Sequence, residues 1–283
     1  SCMLAVDDRS AKFQSIPVYG TIPKQVCDTG TDLVSYGPFS TSNYMEAPYN
    51  DELNFGTGDF SFSGWFNMTS TTSQGLISRV ADGLGGTQAG FAMNTASSGV
   101  LGWAMYTTGL HSPGRTNCGF GFTPKTNVWN HVVAMRKSGV MYLYLNGQLD
   151  TSLTPANTDD ITDTTNSPPL SIGLLANAGS PANATKLALW RISPTAPTEE
   201  QILKMFNDEK LMFETNAKAT LYWDDTSSNK ERISGLAYDP ITKRIHAGTS
   251  SGRSEFQGLI RVNNSTDAVG TNITSVDGMV AEG

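Results

Sequence analysis

Charge is scarce in this chain. Asp, Glu, Lys and Arg make up 16% of its 283 residues, and the balance is −7. No cluster of Lys or Arg offers a phosphate-binding face, so nucleic acid is not an expected partner. Long apolar runs are missing too, and none approaches the length that spans a bilayer, so membrane insertion is not expected. The N-terminus, Ser1-Cys2-Met3-Leu4-Ala5-Val6-Asp7-Asp8, has neither the basic start nor the apolar core of a signal peptide. Cysteine is confined to Cys2, Cys27 and Cys118. Their odd number and wide spacing support neither a zinc site nor a redox motif. Three unpaired thiols in a chain folded in a reducing cytoplasm are expected, with one disulfide plus one free Cys as the alternative. Glu is absent from Leu53 through Thr198. Glycoside hydrolysis needs two carboxylates flanking the scissile bond, and the Asp residues of that stretch show no clustered catalytic pattern. No catalytic residue is assigned.

What is present is turn chemistry and alternation. The run Trp129–Leu149 reads as three short antiparallel strands joined at Ser138-Gly139 and Asn146-Gly147, pairs that tolerate the positive φ of a type I′ turn. Its middle strand sets Val140, Tyr142 and Tyr144 against Met141, Leu143 and Leu145. Neither face is charged, so both faces should be covered, as in a two-sheet sandwich. In Phe60–Phe66, Phe60, Phe62 and Phe66 share one face, with Ser61, Ser63 and Trp65 opposite. Gly64 marks close packing or a bulge. Trp65, Trp129 and Trp190 are read as core, and so is His131, with a hydrogen bond for its ring. The polar stretch from Thr154 to Pro169 should form a loop at one end of the sandwich.

One helix is expected, from Thr198. Thr198-Glu199-Glu200-Gln201 has the form of a capping box, and Ile202, Met205 and Phe206 fall on one stripe that would lie on the sandwich. The helix should fade near Phe213. Beyond residue 216, Ala219–Trp223, Gly235–Asp239, Arg244–Gly248 and Phe256–Ile260 read as close-spaced short strands, the grammar of one β-propeller blade. One blade cannot bury its own faces. The Gly248-Thr249-Ser250-Ser251-Gly252 match to a nucleophile elbow lacks the following helix and is read as a hairpin turn. The expected organisation is a leader over 1–33, a sandwich over 34–214 and a β appendage over 215–283.

The run Leu53–Trp65, the Trp129–Leu149 hairpins and Leu189–Ile192 followed by Thr198–Phe206 resemble, in order, the blocks of laminin-G-like, concanavalin-A-like jelly-roll domains. The resemblance spans roughly residues 34–213. It implies an all-β fold: a two-sheet antiparallel jelly-roll sandwich with one short capping helix and a small C-terminal β appendage. The family is used mostly for binding glycans or protein surfaces, sometimes with calcium at the rim. The run Leu236–Leu259 resembles segments that follow such domains in tail fibres and other virion proteins of tailed phages. That implies a non-enzymatic virion appendage subunit, assembled in the host cytoplasm, with other virion subunits and a host cell-surface glycan as partners and a homotrimeric state. An extracellular glycan-binding lectin domain of a cellular organism is the alternative. A polysaccharide-degrading enzyme is disfavoured by the missing Glu.

Glycan recognition uses aromatic faces for stacking and amide or carboxylate groups for hydroxyls. Trp103, Tyr106, His111, Asn94 and Asn117 are the candidates, with core packing the competing reading for Trp103 and Tyr106. Calcium takes carboxylate and carbonyl oxygens. Its candidates are Asp82 and the Asp159, Asp160, Asp163 cluster, a solvated acidic loop being the competing reading.

Overall fold

A computed structural model describes residues 16–81, 89–107, 115–155, 160–175, 179–218, 233, 235–249, 252–265, 273–276 and 279–282. Two seven-stranded antiparallel sheets dominate it. The first runs, in spatial order, Val18–Tyr19, Tyr44–Ala47, Leu170–Ile172, Gln74–Arg79, Gly90–Thr95, Leu101–Tyr106, Arg115–Phe122. The second runs Gln148–Leu153, Val140–Leu145, Trp129–Lys137, Phe60–Met68, Thr185–Ser193, Val34–Tyr36, Lys24–Val26. The all-β sandwich expected from the sequence is therefore present. Among the described residues no helix is long and apolar enough to cross a membrane.

The hairpins form as read. Lys137 pairs with Val140 and Leu145 with Gln148, leaving two-residue turns. Ser138 and Asn146 take φ of 50° and 49°, and the glycine after each takes 80°, as a type I′ turn requires. Both faces of the middle strand are covered. Met141 and Leu143 enter the inter-sheet core, while Tyr144 joins Val133, Met135 and Ile202 on the far side.

Strand alternation sends Phe60, Phe62 and Phe66 into the core with Phe91, Trp103 and Leu143. Gly64 lies on that same face because Trp190 occupies the space: a Cβ there would sit 2.5 Å from the indole. The close packing read from the glycine is real, and its partner is Trp190. Leu189, at φ 55°, lies in the register shift between Ala188 and Arg191, the local irregularity expected of a bulge. Trp65 and Trp190 are buried, whereas Trp129 is half-buried.

The helix spans Glu199–Lys210, followed by a 3-10 turn over Leu211–Phe213. Its capping box closes both ways: Thr198 N donates to Gln201 Oε1 at 2.8 Å and Gln201 N donates to Thr198 Oγ1 at 3.2 Å. Ile202 is fully enclosed, and the Phe206 ring stacks on Trp65 with centroids 5.7 Å apart.

The chain divides into two compact units, one built on Val34–Asp208 with the segment up to Gln25, the other on Val26–Leu33 with Glu209–Gly283. In the second unit, Lys218 Nζ lies 3.5 Å from Asp32 Oδ1, and Asn216 N donates to Thr29 O at 2.8 Å. That unit contains a four-stranded antiparallel meander, Gly235–Asp239, Arg244–Thr249, Gly252–Gln257 and Ile260–Ser265. The strands Arg244–Thr249 and Gly252–Gln257 pair antiparallel, so a strand follows the match where an elbow needs a helix; Ser250, Ser251 and Ala219–Trp223 lie outside the described residues. A separate hairpin pairs Ile273–Val276 with Met279–Glu282. Cys118 is a buried free thiol, and burial pushes its pKa up to about 12; Cys2 lies outside the described residues.

Candidate functional site

The aromatic candidates go to the interior. Trp103 is fully buried in the inter-sheet core, edge-on to Phe60 and Phe62 at 6.0 and 5.6 Å. Its indole N–H donates to Tyr142 O at 3.1 Å, which satisfies the polar end of the ring. Trp103 is corrected to a core residue, since an enclosed ring has no face left for a sugar. Tyr106 points to the outer side of the first sheet, but it packs there with Val80, Ala92 and Ala104 beneath Leu175. It too loses the stacking role. Ser78 Oγ donates to Leu174 O at 3.1 Å, and a Cβ on Gly75 would lie 2.3 Å from Leu175 N. The short strands Leu174–Leu175 and Ser180–Pro181 therefore lie against this part of the outer face, and the small residues below make room for them.

Asn94 and Asn117 share that outer face. Asn94 pairs with Gly102 and Asn117 with Ala104, on opposite sides of the Leu101–Tyr106 strand. Asn94 is half-buried, its amide donating to Thr95 O at 3.1 Å, and Asn117 is exposed. His111 lies outside the described residues.

At one end of the sandwich the acidic candidates meet two buried cations. Period-two alternation directs Arg79 from the first sheet and Arg136 from the second between the sheets, and both are fully buried. Arg136 donates from Nε to Gly58 O at 2.8 Å and from Nη2 to Gly56 O at 2.7 Å, and its guanidinium lies 5.2 Å from the Phe60 ring centre. Arg79 donates from Nη2 to Asn54 Oδ1 at 2.5 Å and lies 5.4 Å from the Tyr49 ring centre. Among the described residues its Nε and Nη1 have no hydrogen-bond partner. Burial lowers both arginine pKa values. Tyr49, Asp163 and Asp51 oppose the shift at Arg79, Asp59 and Asp160 at Arg136. Tyr49 OH donates to Asp51 Oδ1 at 2.7 Å, and Asn54 Nδ2 donates to the Tyr49 hydroxyl at 2.7 Å. The two arginines thus clamp the loop that enters the Phe60 strand. Sequence reading passed over them, although each stands at a core position of an alternating strand.

Asp163 belongs to this end and is buried. Its Oδ1 accepts from Asn166 N at 2.8 Å, and its Oδ2 accepts from Asn166 Nδ2 at 2.8 Å and Ala89 N at 3.3 Å. Asp160 is exposed and accepts from Thr162 N at 2.7 Å. Asp82 and Asp159 lie outside the described residues. Among the described residues no group of three or more His, Cys, Asp or Glu is placed to hold a metal. Asp163 spends its oxygens on amide hydrogens and serves as a loop pin.

His131 is core, as expected, but without the hydrogen bond expected for it. Among the described residues neither ring nitrogen has a hydrogen-bond partner, and the ring lies 5.1 Å from Trp65 and 6.2 Å from Phe206. Burial first, and the Arg191 charge second, lower its pKa to about 4.

Comparison with known proteins follows this architecture. No curated protein sequence matches the chain. Among solved structures, the receptor binding domain of botulinum neurotoxin C/D mosaic serotype is similar at 14% identity and TM-score 0.56, over 97% of this chain and 65% of that one. The botulinum neurotoxin serotype D binding domain is similar at 16% identity and TM-score 0.53, over 86% and 57%. The binding domain of botulinum neurotoxin DC in complex with SialylT is similar at 14% identity and TM-score 0.53, over 98% and 70%. The chain spans 65% of the first of these, and at such identities the likeness is one of fold. The laminin-G-type family model described as concanavalin A-like lectin/glucanases superfamily matches residues 39–203, more than half of the chain, and the chain belongs to that superfamily.

Proposed function

We propose that this chain is a non-enzymatic structural and binding subunit of a phage virion, from a tail fibre or related appendage. Its jelly roll attaches to a host-surface glycan or to a neighbouring virion protein. The observation that carries the binding role is the family match over residues 39–203. It is supported by structural neighbours that are named as receptor-binding domains, one of them in complex with SialylT. The virion setting rests on the resemblance of the Leu236–Leu259 run to segments of phage appendage proteins.

Self-association as a homotrimer is part of this proposal. In the Gly235–Ser265 meander, Leu236 and Tyr238 lie on one face with Ile245, and they are 67% and 61% exposed. The opposite face is polar, with Glu255 bonded to Arg244 and Asn263. On the first face Ala247 and Phe256 are buried while Leu236 and Tyr238 stand in solvent, and such an exposed apolar part suits burial against other subunits.

The test has two arms. Immunogold labelling of assembled particles should place the chain on an appendage, and light scattering of the purified chain should give three times the monomer mass. A monomer that binds neither host cells nor virion components would overturn the proposal.

A further inference from the structure

An aromatic pair on the outer side of the first sheet belongs neither to the core nor to the clamped end. Tyr19 sits on the edge strand, directly opposite Tyr44 on the next strand. Their rings are parallel within 8°, with centroids 4.8 Å apart. Met45, between Tyr44 and Glu46, is fully buried in the core, so alternation turns Tyr44 and Glu46 outward together. Glu46 lies opposite Ser171, whose hydroxyl donates to Glu46 Oε2 at 3.1 Å. No hydrogen bond from a described residue engages the Tyr19 hydroxyl, the Tyr44 hydroxyl or Glu46 Oε1. Tyr19 is 44% exposed, and among the described residues no further strand continues the sheet beyond it. The turn beside the pair is fixed: Thr21 N donates to Asn43 Oδ1 at 3.0 Å, and Gly20 has φ of 65°.

A cross-strand aromatic pair stabilises a sheet edge on its own account. Tyr19 is exposed and Tyr44 half-buried, so the stack is accessible from solvent. Here a flat and already ordered aromatic surface, two phenol groups and a carboxylate oxygen stand together with no hydrogen-bond partner among the described residues. We propose that the Tyr19–Tyr44 stack and Glu46 form a subsite for an uncharged pyranose unit of a glycan. The C–H face of the sugar packs on the tyrosine surface, and its hydroxyls donate to Glu46 and exchange hydrogen bonds with the phenols. The carboxylate, on a chain of net charge −7, disfavours sugars that carry a carboxylate of their own, because like charges would be brought together. The inference rests on the glycan-binding reading and names the sugar class that this subsite takes.

The full chain is applied to an array of neutral and carboxylated oligosaccharides, and the strongest neutral binder is titrated against Tyr19→Ala and Glu46→Gln. Circular dichroism reports whether each variant keeps its fold. The expected result is binding to neutral sugars only, weakened about tenfold or more in Tyr19→Ala, the scale of one lost stacking contact. A folded Tyr19→Ala that binds as the parent does, or a preference for carboxylated sugars, overturns the subsite and leaves glycan binding standing. Should Tyr19→Ala fail to fold, undiminished binding by Glu46→Gln overturns it. Binding to no oligosaccharide on the array overturns the subsite and the glycan-binding reading together.

Discussion

The Phe206 ring lies on the Trp65 indole, within 19° of parallel and 5.7 Å from it. This contact ties the helix to the outer side of the second sheet, where Ile202 is enclosed and Met205 packs beside Val133, Met135 and Tyr144. The helix covers a sheet face that would otherwise leave those side chains in water. Its stability therefore comes from docking more than from intrinsic propensity.

Removing the enclosed side chain tests that dependence. Ile202→Ala should destabilise the sandwich by about 3 kcal/mol, the usual cost of a large-to-small change at a buried site. The exposed cap substitution Thr198→Ala should cost only about 1 kcal/mol. Urea unfolding monitored by tryptophan fluorescence gives both values, and equal effects would contradict this account of the helix.

His131 makes stability depend on pH. Its native pKa is lowered to about 4 from the ordinary 6.5, so between those values the unfolded chain binds a proton that the native chain does not. The contribution is complete above about pH 6.5, falls as pH drops through the window and levels off below about 4. Its size is on the order of 3 kcal/mol, from the free energy of one pKa unit. His131→Phe keeps an aromatic ring in place and should remove this component of the acid sensitivity. Chemical denaturation at pH 4, 5, 6 and 7 checks it, and an unchanged pH slope in the variant would refute the assignment.

Gly64 is sequence-legible as a tight spot, and the structure identifies what it admits. Gly64→Val should destabilise by about 1–3 kcal/mol through overpacking, because the added Cβ would meet the Trp190 ring. The displaced indole should shift the emission spectrum, and a variant with unchanged melting and emission would show that the site relaxes freely.

Much of the scaffold could be read in advance, because local signals and tertiary packing agree there. Asn146-Gly147 demanded a turn, Phe60, Phe62 and Phe66 demanded a buried face, and Thr198 with Gln201 marked the helix start. The candidate site was less legible. Trp103 has the same residue type and strand setting whether it faces solvent or the opposite sheet. Only the parity of its neighbours Leu101 and Met105, both buried, separates the two. Tyr106 is on the outer side as a binding residue would be, yet segments distant in sequence cover it, and no local pattern announces that. The stacked Tyr19 and Tyr44 are 25 residues apart, in stretches whose strand signals are weak. Pairing across such a distance is set by the whole sheet.

Arg136 supplies a fourth test. Its two short bonds hold Gly56 O and Gly58 O, and Gly56 O also accepts from Ile161 N at 3.1 Å. Arg136→Lys keeps the charge but cannot present the planar fork. It should lose about 2–3 kcal/mol, the range for buried carbonyls and a buried charge left incompletely paired. Thermal unfolding of the folded variant measures this, and a loss below about 0.5 kcal/mol, the scale of an ordinary surface substitution, would show that the clamp is dispensable.

The central claim, that this jelly roll binds glycan without cleaving it, is tested most directly by titrating the purified full chain with host-surface polysaccharide in a calorimeter. The account predicts a saturable binding isotherm that ends flat, with no continuing heat from bond hydrolysis. Absence of binding heat at any accessible concentration, or a steady heat signal of turnover after saturation, would contradict it.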